Sequence, residues 1–430
     1  MEKERLSELP DELLLKILSS LPMFEDALAT RLISKRWEGT WNLVPDVKFD
    51  DDRKSKSFET FMSFVYGYLL ANDAPILERL TLKLSQYYSA SDLNFWVQIA
   101  VNRSVRKLKF HLSGKTLQLP CCLSTCKTLK KLVLHDLGIK VLPLWVCLPS
   151  LKTLHLFSVK FSSDKSVASL FRICPVLECL VVEQTKTDNV MISNIDVPTL
   201  TSLTIKRKRG KHTYVEKSHG FVIKAPLLTE LNFEDTISNF LVFESMPQVI
   251  KANIEVICDQ SENFIGSLPS IQHLTLCSLT SKTPYPKDTS FSSLKHLELC
   301  ACSAGWADLL ACMLNDAPNL RSLKLKSKHN FNYNDPMTLW EEPAVVPKCF
   351  SEHLETLEWR QYEGTEQERN VAGYILAHAA CLKTATFSTG SKSKYQRIRM
   401  LGKLESMDRV SKTCQLTFDS LTLIPKTTCV

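Results

Sequence analysis

A triplet of apolar residues recurs thirteen times along this chain of 430 residues and restricts the folds that the chain can form. In each copy, two residues separate the first apolar position from the second, and one residue separates the second from the third. The first copy is Leu77, Leu80 and Leu82, and the last begins at Leu382. Successive copies start 21 to 34 residues apart, which is the period of a repeat protein built from short stacked units.

The triplet predicts one short β-strand in every repeat. Its last two residues are two positions apart, so both point to the same side of a strand. A single strand cannot bury that side, but stacked copies form a parallel sheet with a continuous core. Helical connectors are predicted over 166–171 and 307–314, each followed by a proline. The chain therefore has an α/β pattern, with an irregular solenoid whose parallel β-sheet lines the concave face.

The first fifty residues lack the triplet and have a helical period instead. Pro10 suits a helix start, and apolar residues then recur in steps of three and four up to Leu21. Two more short helices are predicted over 25–33 and 34–41. Three short helices bury only a small core, so part of their apolar surface is expected to need a partner.

Residues 6–22 read LSELPDELLLKILSSLP, and SKRW follows at 34–37 with a second tryptophan at Trp41. This pattern closely resembles the F-box. A C-terminal set of motifs is similar to the FBD domain of plant F-box proteins that carry leucine-rich repeats: VPKCF at 346–350, LETLEW at 354–359, YIL at 374–376, CLK at 381–383 and CQLTFD at 414–419. The resemblance divides the chain as follows: F-box 4–52, helical linker 53–76, leucine-rich-repeat solenoid 77–345, FBD-like region 346–419 continuing the solenoid, and tail 420–430.

The resemblance implies a non-catalytic substrate-recognition subunit of a Skp–cullin–F-box ubiquitin ligase. Such a subunit docks on a Skp-type adaptor, reaches a cullin scaffold through it and holds a target protein on its repeats. The adaptor-facing residues implied by the family are Leu9, Pro10, Leu13, Leu18 and Trp37. For Leu9 and Pro10 the interface is favoured, whereas Leu13 and Leu18 suit an interface and an internal core equally. The alternative is a non-ligase scaffold whose F-box does not recruit the cullin complex. A third interpretation of the chain's function is a co-receptor that binds a small molecule.

The chain offers little chemistry of its own. It has only 12 glycines and no phosphate-binding loop, nucleophile elbow or zinc-protease motif, so neither an enzyme nor a cofactor is predicted. Its 15 cysteines are expected to be reduced core residues; Cys300 and Cys302 lack a partner pair at zinc spacing, and no metal is predicted. A net charge of +7 is low for a nucleic-acid-binding chain, and no apolar stretch approaches the length of a membrane span.

The residues that alternate with the buried positions of the early strands are basic. They are expected on the concave face, where they would bind an acidic or phosphorylated segment of the target. The candidate residues are Lys83, Lys107, Lys109, His111, Lys131, His135 and His155. The strands that follow lean acidic. An ordinary solvated sheet surface is the alternative.

A basic run, KRKRGK, occupies 206–211. It is a nuclear import signal, a nucleic-acid contact or, like most such runs, a solvated loop. With no signal peptide at the N-terminus, the expected location is the cytoplasm, the nucleus or both.

Overall fold

Each of the thirteen predicted triplets ends in a strand. In the computed structural model the last two residues of each triplet belong to a β-strand, and every triplet residue is buried. The structure describes residues 9–21, 29–30, 35–51, 57–85, 88–139, 142, 146–184, 192–207, 220–236, 238, 240–256, 264–278, 285, 290–327, 340–389 and 393–419. Neighbouring strands pair in parallel with the triplets in register, as Leu80, Leu108 and Leu132 do. The predicted α/β repeat fold is therefore confirmed.

The chain divides into two compact units, 1–190 and 191–430. The helices of the first unit are α1 (Asp11–Ser20), α2 (Lys35–Thr40), α3 (Phe58–Ala71), α4 (Ala90–Asn102) and α5 (Asp164–Arg172). Its strands are β1 (Asp46–Asp50), β2 (Arg79–Lys83), β3 (Lys107–His111), β4 (Thr116–Leu117), β5 (Lys131–Ile139), β6 (Thr153–Phe161) and β7 (Cys179–Gln184). The strands lie in the order β1-β2-β3-β5-β6-β7, and β4 pairs with β5.

Strand β1 is a repeat that the sequence prediction did not count. Val44, Val47 and Phe49 have the triplet spacing and are buried, and Val47 pairs with Leu80 of β2. Helix α3 covers this strand, with the ring of Phe49 6.0 Å from that of Phe64. The sheet therefore starts directly after the N-terminal helices. The segment predicted as a helical linker holds α3, the connecting helix of this first repeat. The domain limits themselves stay a prediction.

The second unit repeats the same architecture over more strands. Its strands are β8 (Ile192–Asp196), β9 (Ser202–Arg207), β10 (Gly220–Lys224), β11 (Glu230–Asp235), β12 (Phe240–Phe243), β13 (Lys251–Val256), β14 (His273–Ser278), β15 (His296–Cys300), β16 (Ser322–Lys326), β17 (Thr356–Arg360), β18 (Thr384–Ser388) and β19 (Gln415–Asp419). Its helices are α6 (Trp306–Asp316), α7 (Lys348–Glu352), α8 (Glu366–His378) and α9 (Lys394–Glu405). The large sheet runs β9-β11-β13 and then β14 to β19 in sequence order. Strands β12, β10 and β8 form a small parallel sheet.

The two predicted connector helices are present as α5 and α6. Helix α8 shows how sequence sets such a helix start. The hydroxyl of Thr365 accepts a hydrogen bond from the amide of Glu368, and the buried carboxylate of Glu368 accepts from the amides of Thr365 and Glu363. This capping box satisfies amides that the first turn leaves without helical partners. Burial raises the pKa of Glu368, because burial disfavours the charged carboxylate more than its hydrogen bonds favour it.

Among the described helices, none has both the length and the apolar character that crossing a bilayer requires.

Candidate functional site

Helix α1 separates a buried face from an exposed apolar face. Its N-cap residue is Pro10, whose carbonyl accepts from the amides of Leu13 and Leu14. Leu14 and Leu18, four positions apart, are 0% and 2% exposed and face the core. Leu13 is 45% exposed although it lies between acidic residues and the core-facing leucines. An apolar side chain in this position is available to a partner.

The exposed apolar face starts before the helix. Leu9 is half-buried and Pro10 is exposed, and Leu13 follows three positions later on the same side. Ile17, the next position on this side, is half-buried. We call Leu9, Pro10, Leu13 and Ile17 the α1 outer face. An ion pair between Arg36 of α2 and Asp11, with 2.6 Å between the nitrogen and the oxygen, lies next to it.

The other two predicted adaptor residues lie in the interior of the free chain. Leu18 and Trp37 are each 2% exposed. Their side chains contribute to the small helical core, and a direct role for them at the adaptor interface stays a prediction. Leu14 is a core residue that the sequence reasoning did not single out, although its spacing of four from Leu18 marks it. The second predicted helix, 25–33, lies mostly outside the described residues.

The N-terminal helical segment, which holds α1, α2 and Trp41, is fixed to the first repeat by a buried polar network. The rings of Trp41 and Tyr68 stack with centroids 5.7 Å apart, and the Tyr68 hydroxyl donates to the Trp41 carbonyl at 3.3 Å. Asn72 donates to the Val44 carbonyl at 3.1 Å and to the Tyr68 hydroxyl at 2.7 Å. Burial raises the pKa of Tyr68, so the phenol stays protonated as this network requires.

A second candidate surface lies on the sheet of the first unit. The side chains that alternate with the buried positions of β2, β3, β5 and β6 form its polar face. The parallel register aligns them in three rows: Arg79, Lys107, Lys131 and Thr153; Thr81, Lys109, Val133 and His155; Lys83, His111, His135 and Phe157. Since neighbouring strands are about 4.8 Å apart, residues that are distant in sequence become direct neighbours. The structure thus brings all seven predicted basic residues onto one surface.

Acidic residues of strand β1 neutralise charge at one edge of the polar face. Strand β1 adds acids that the sequence prediction did not include, and Asp50 pairs with Lys83 at 3.1 Å between oxygen and nitrogen. Among the described residues, no carboxylate forms an ion pair with Lys107, Lys109 or Lys131. These three lysines therefore form the basic part of the face that is open to a partner.

Three histidines lie beside those lysines. The rings of His111 and His135 are 4.2 Å apart, and the ring of Phe157 lies 5.8 Å from His135 and 5.7 Å from His155. Burial and the neighbouring His111 hold the pKa of His135 below its ordinary 6.5, and burial and Lys131 do the same for His155. His135 and His155 therefore add little positive charge to this face at neutral pH.

The polar face of the second unit has a different charge pattern. Lys324 of β16 lies between Glu298 and Glu358 of the adjacent strands, with nitrogen–oxygen distances of 3.7 Å and 3.4 Å. Lys326 also pairs with Glu298. Charges in this region are paired within the sheet, so they attract a charged partner less than the three open lysines of the first unit.

The basic run 206–211 is only partly described. Lys206 and Arg207 belong to β9, and Arg207 is 4% exposed with its guanidinium 3.4 Å from the hydroxyl of Ser238. The remainder of the run lies outside the described residues. Nuclear import through this run stays a prediction.

Comparisons with known proteins agree with this architecture. The F-box domain model matches residues 6–48, a model of the leucine-rich repeats of the FBD-associated F-box protein At5g56370 matches 93–253, and the FBD model matches 341–387. The chain is 75% identical over 421 residues to the FBD-associated F-box protein At5g56560 of Arabidopsis thaliana, covering 97% of this chain and 100% of the relative. It is 53% identical over 416 residues to the F-box/FBD/LRR-repeat protein At5g56570 of the same plant, covering 96% of this chain and 92% of that protein.

The helical segment, the repeats and the C-terminal region define an F-box protein with leucine-rich repeats. More narrowly, the chain belongs to the F-box/FBD/LRR-repeat family, as its identity and coverage show. The resemblance stated from the sequence is confirmed.

Proposed function

We propose that this protein is the substrate-recognition subunit of a Skp–cullin–F-box ubiquitin ligase. The observation that carries the proposal is the F-box, matched over 6–48, with an apolar α1 outer face left exposed in the free chain. Apolar surface of this kind favours burial against a partner. The partner is a Skp-type adaptor, and a cullin scaffold is reached through it.

The subunit acts by positioning and performs no bond chemistry. Holding a target near a charged conjugating enzyme raises the effective concentration of the target lysine, and the enzyme supplies the reaction. The rigid attachment of the helical segment to the first repeat, through Trp41, Tyr68 and Asn72, keeps the adaptor and the repeats of the first unit in a set relation.

Co-purification with a recombinant Skp-type adaptor tests the docking step. The variant Leu9→Ala with Pro10→Ala, and separately Leu13→Asp, should abolish co-purification. Leu70→Asp is the matched control, because Leu70 is 63% exposed on α3 and lies outside the F-box match. A wild-type chain that folds and does not bind the adaptor contradicts the proposal and favours a non-ligase scaffold.

We propose that the polar face of the first unit holds an acidic or phosphorylated segment of the target protein. Lys107, Lys109 and Lys131 supply the charge, and His111, His135 and His155 with Lys83 complete the surface. Lysine ammonium groups form charge-assisted hydrogen bonds with phosphate and carboxylate oxygens. Such binding is expected to weaken as salt is raised.

Charge reversal tests this surface. Lys107→Glu, Lys109→Glu and Lys131→Glu together should weaken target capture, measured by proximity labelling in cells with and without proteasome inhibition. The matched control is Lys115→Glu, Lys127→Glu and Lys165→Glu, which changes net charge equally at exposed positions outside the strands that form the polar face. Equal capture by the two triple variants would remove this proposal and leave the adaptor proposal intact.

A further inference from the structure

Three buried cysteines of the second unit converge at the ends of two neighbouring strands. Cys277 lies near the end of β14, Cys300 ends β15, and Cys302 follows in the turn before α6. Leu276 pairs with Leu299 in the parallel register, so Cys277 and Cys300 stand side by side on adjacent strands. The three Sγ atoms lie within 4.8 Å of one another, and those of Cys277 and Cys302 are 3.6 Å apart.

The sheet holds this arrangement in place. Cys300 pairs with Lys326 of β16, and the amide of Ala301 donates to the Lys326 carbonyl at 2.7 Å. The turn that carries Cys302 is therefore attached to a third strand. Ligand atoms fixed in this way need little reorganisation to bind an ion, which favours binding.

The surroundings do not suit a redox sensor. The three residues are 3%, 2% and 0% exposed, in the order Cys277, Cys300 and Cys302. Redox-sensing cysteines are exposed to solvent, where an oxidant reaches the sulfur. A cluster buried in this way is shielded from oxidants.

We propose that Cys277, Cys300 and Cys302 form a binding site for a soft metal ion, and that the ion is Cu(I). Sulfur ligands select soft ions such as Cu(I) and Zn²⁺. Structural zinc almost always takes four ligands, and among the described residues no fourth histidine, cysteine or carboxylate joins the cluster. A metal–sulfur bond of about 2.3 Å places three sulfur ligands around one ion about 4 Å apart. The separations in the cluster therefore need only a small adjustment to hold an ion.

Proton balance follows from the chemistry of the ligands. Each thiol that becomes a ligand loses its proton to solvent, so uptake of one Cu(I) releases one proton for each sulfur bound, and no electron is transferred.

A competition titration of the full-length protein tests the proposal. Reduced, metal-free protein is titrated anaerobically with Cu(I) against a chromogenic Cu(I) chelator, with Zn²⁺ in a parallel series. We expect one equivalent of Cu(I) to be retained against the chelator, with thiolate-to-copper absorption in the ultraviolet. Cys277→Ser with Cys302→Ser should lose this equivalent. Cys121→Ser with Cys312→Ser, which removes two exposed cysteines, should keep it.

Three outcomes overturn the proposal: equal Cu(I) retention by the two double variants, retention of Zn²⁺ without Cu(I), and loss of two titratable thiols to a disulfide in protein prepared without reductant. Circular dichroism checks that the variants fold. Copper X-ray absorption on the wild-type protein gives a readout that needs no variant. A shell of sulfur neighbours supports the site, and a shell of nitrogen or oxygen contradicts it.

Discussion

Replacing Leu13 by alanine should weaken adaptor binding and leave the fold intact. Leu13 is 45% exposed on the α1 outer face, whereas Leu18 of the same helix is 2% exposed. Complete burial of a leucine side chain stabilises by about 1.5–3 kcal/mol. The exposed share of Leu13 therefore corresponds to about 1 kcal/mol of adaptor binding. We expect the Kd to rise about fivefold.

Leu18→Ala should lower the stability of the chain and leave the adaptor affinity of the folded chain unchanged. Removing a buried leucine costs about 2–5 kcal/mol, because a cavity adds to the lost transfer energy. Its unfolding midpoint should fall, and its adaptor binding should fall only as far as the folded fraction falls. Calorimetric titration with the adaptor measures the Kd, and thermal unfolding followed by circular dichroism measures stability.

Comparing Leu13→Ala with Leu18→Ala tests whether Leu13 lies at the adaptor interface. Leu70→Ala, at a residue 63% exposed on α3, should change neither quantity. A wild-type Kd for Leu13→Ala would remove this side chain from the interface. A drop in its unfolding midpoint as large as that of Leu18→Ala would place Leu13 in the core and contradict the exposed face on which the docking proposal depends.

Three further predictions concern stability, each measured as the thermal unfolding midpoint. Glu368→Ala should destabilise the second unit by about 2 kcal/mol, because the amides of Thr365 and Glu363 lose their acceptor. Glu368→Gln keeps an acceptor oxygen and should cost less. Gly220→Ala should destabilise by about 1–3 kcal/mol, because a Cβ would collide with the Phe240 carbonyl oxygen of the paired strand; an unchanged midpoint would show that β10 and β12 adjust. The pKa values of His135 and His155 are lowered in the folded chain, so the unfolded chain binds more protons once the pH falls below about 6.5. The free energy of unfolding therefore decreases as the pH falls through the folded-state pKa values of these two histidines. His135→Gln with His155→Gln should flatten this decrease as the pH falls below about 6.5; an unaltered pH slope would refute it.

Elements that depend on local spacing could be predicted from the sequence. The triplets identified thirteen strands, and the apolar runs before two prolines identified α5 and α6. The helical period of the first fifty residues identified the first and third N-terminal helices, present as α1 and α2. Strand β1 has the same spacing at Val44, Val47 and Phe49, but it follows the F-box so closely that it was assigned to it.

The candidate sites could not be predicted from the spacing of residues in the sequence alone. The helical period placed Leu13 and Leu18 on apolar positions alike, yet one is exposed and the other buried, because only the packing of neighbouring elements decides which part of a wide apolar stripe is covered. The pairing of Lys83 with Asp50 depends on β1 lying beside β2.

The sequence by itself determined that this chain forms short parallel strands behind a small helical module, because side-chain periods of two and 3.6 are properties of neighbouring residues. Only the tertiary structure decided which residues of different repeats meet. Register places Lys107 beside Lys131 and Cys277 beside Cys300, although each pair is separated by more than twenty residues. Contacts of that kind arise from the stacking of whole repeats, which no local pattern specifies.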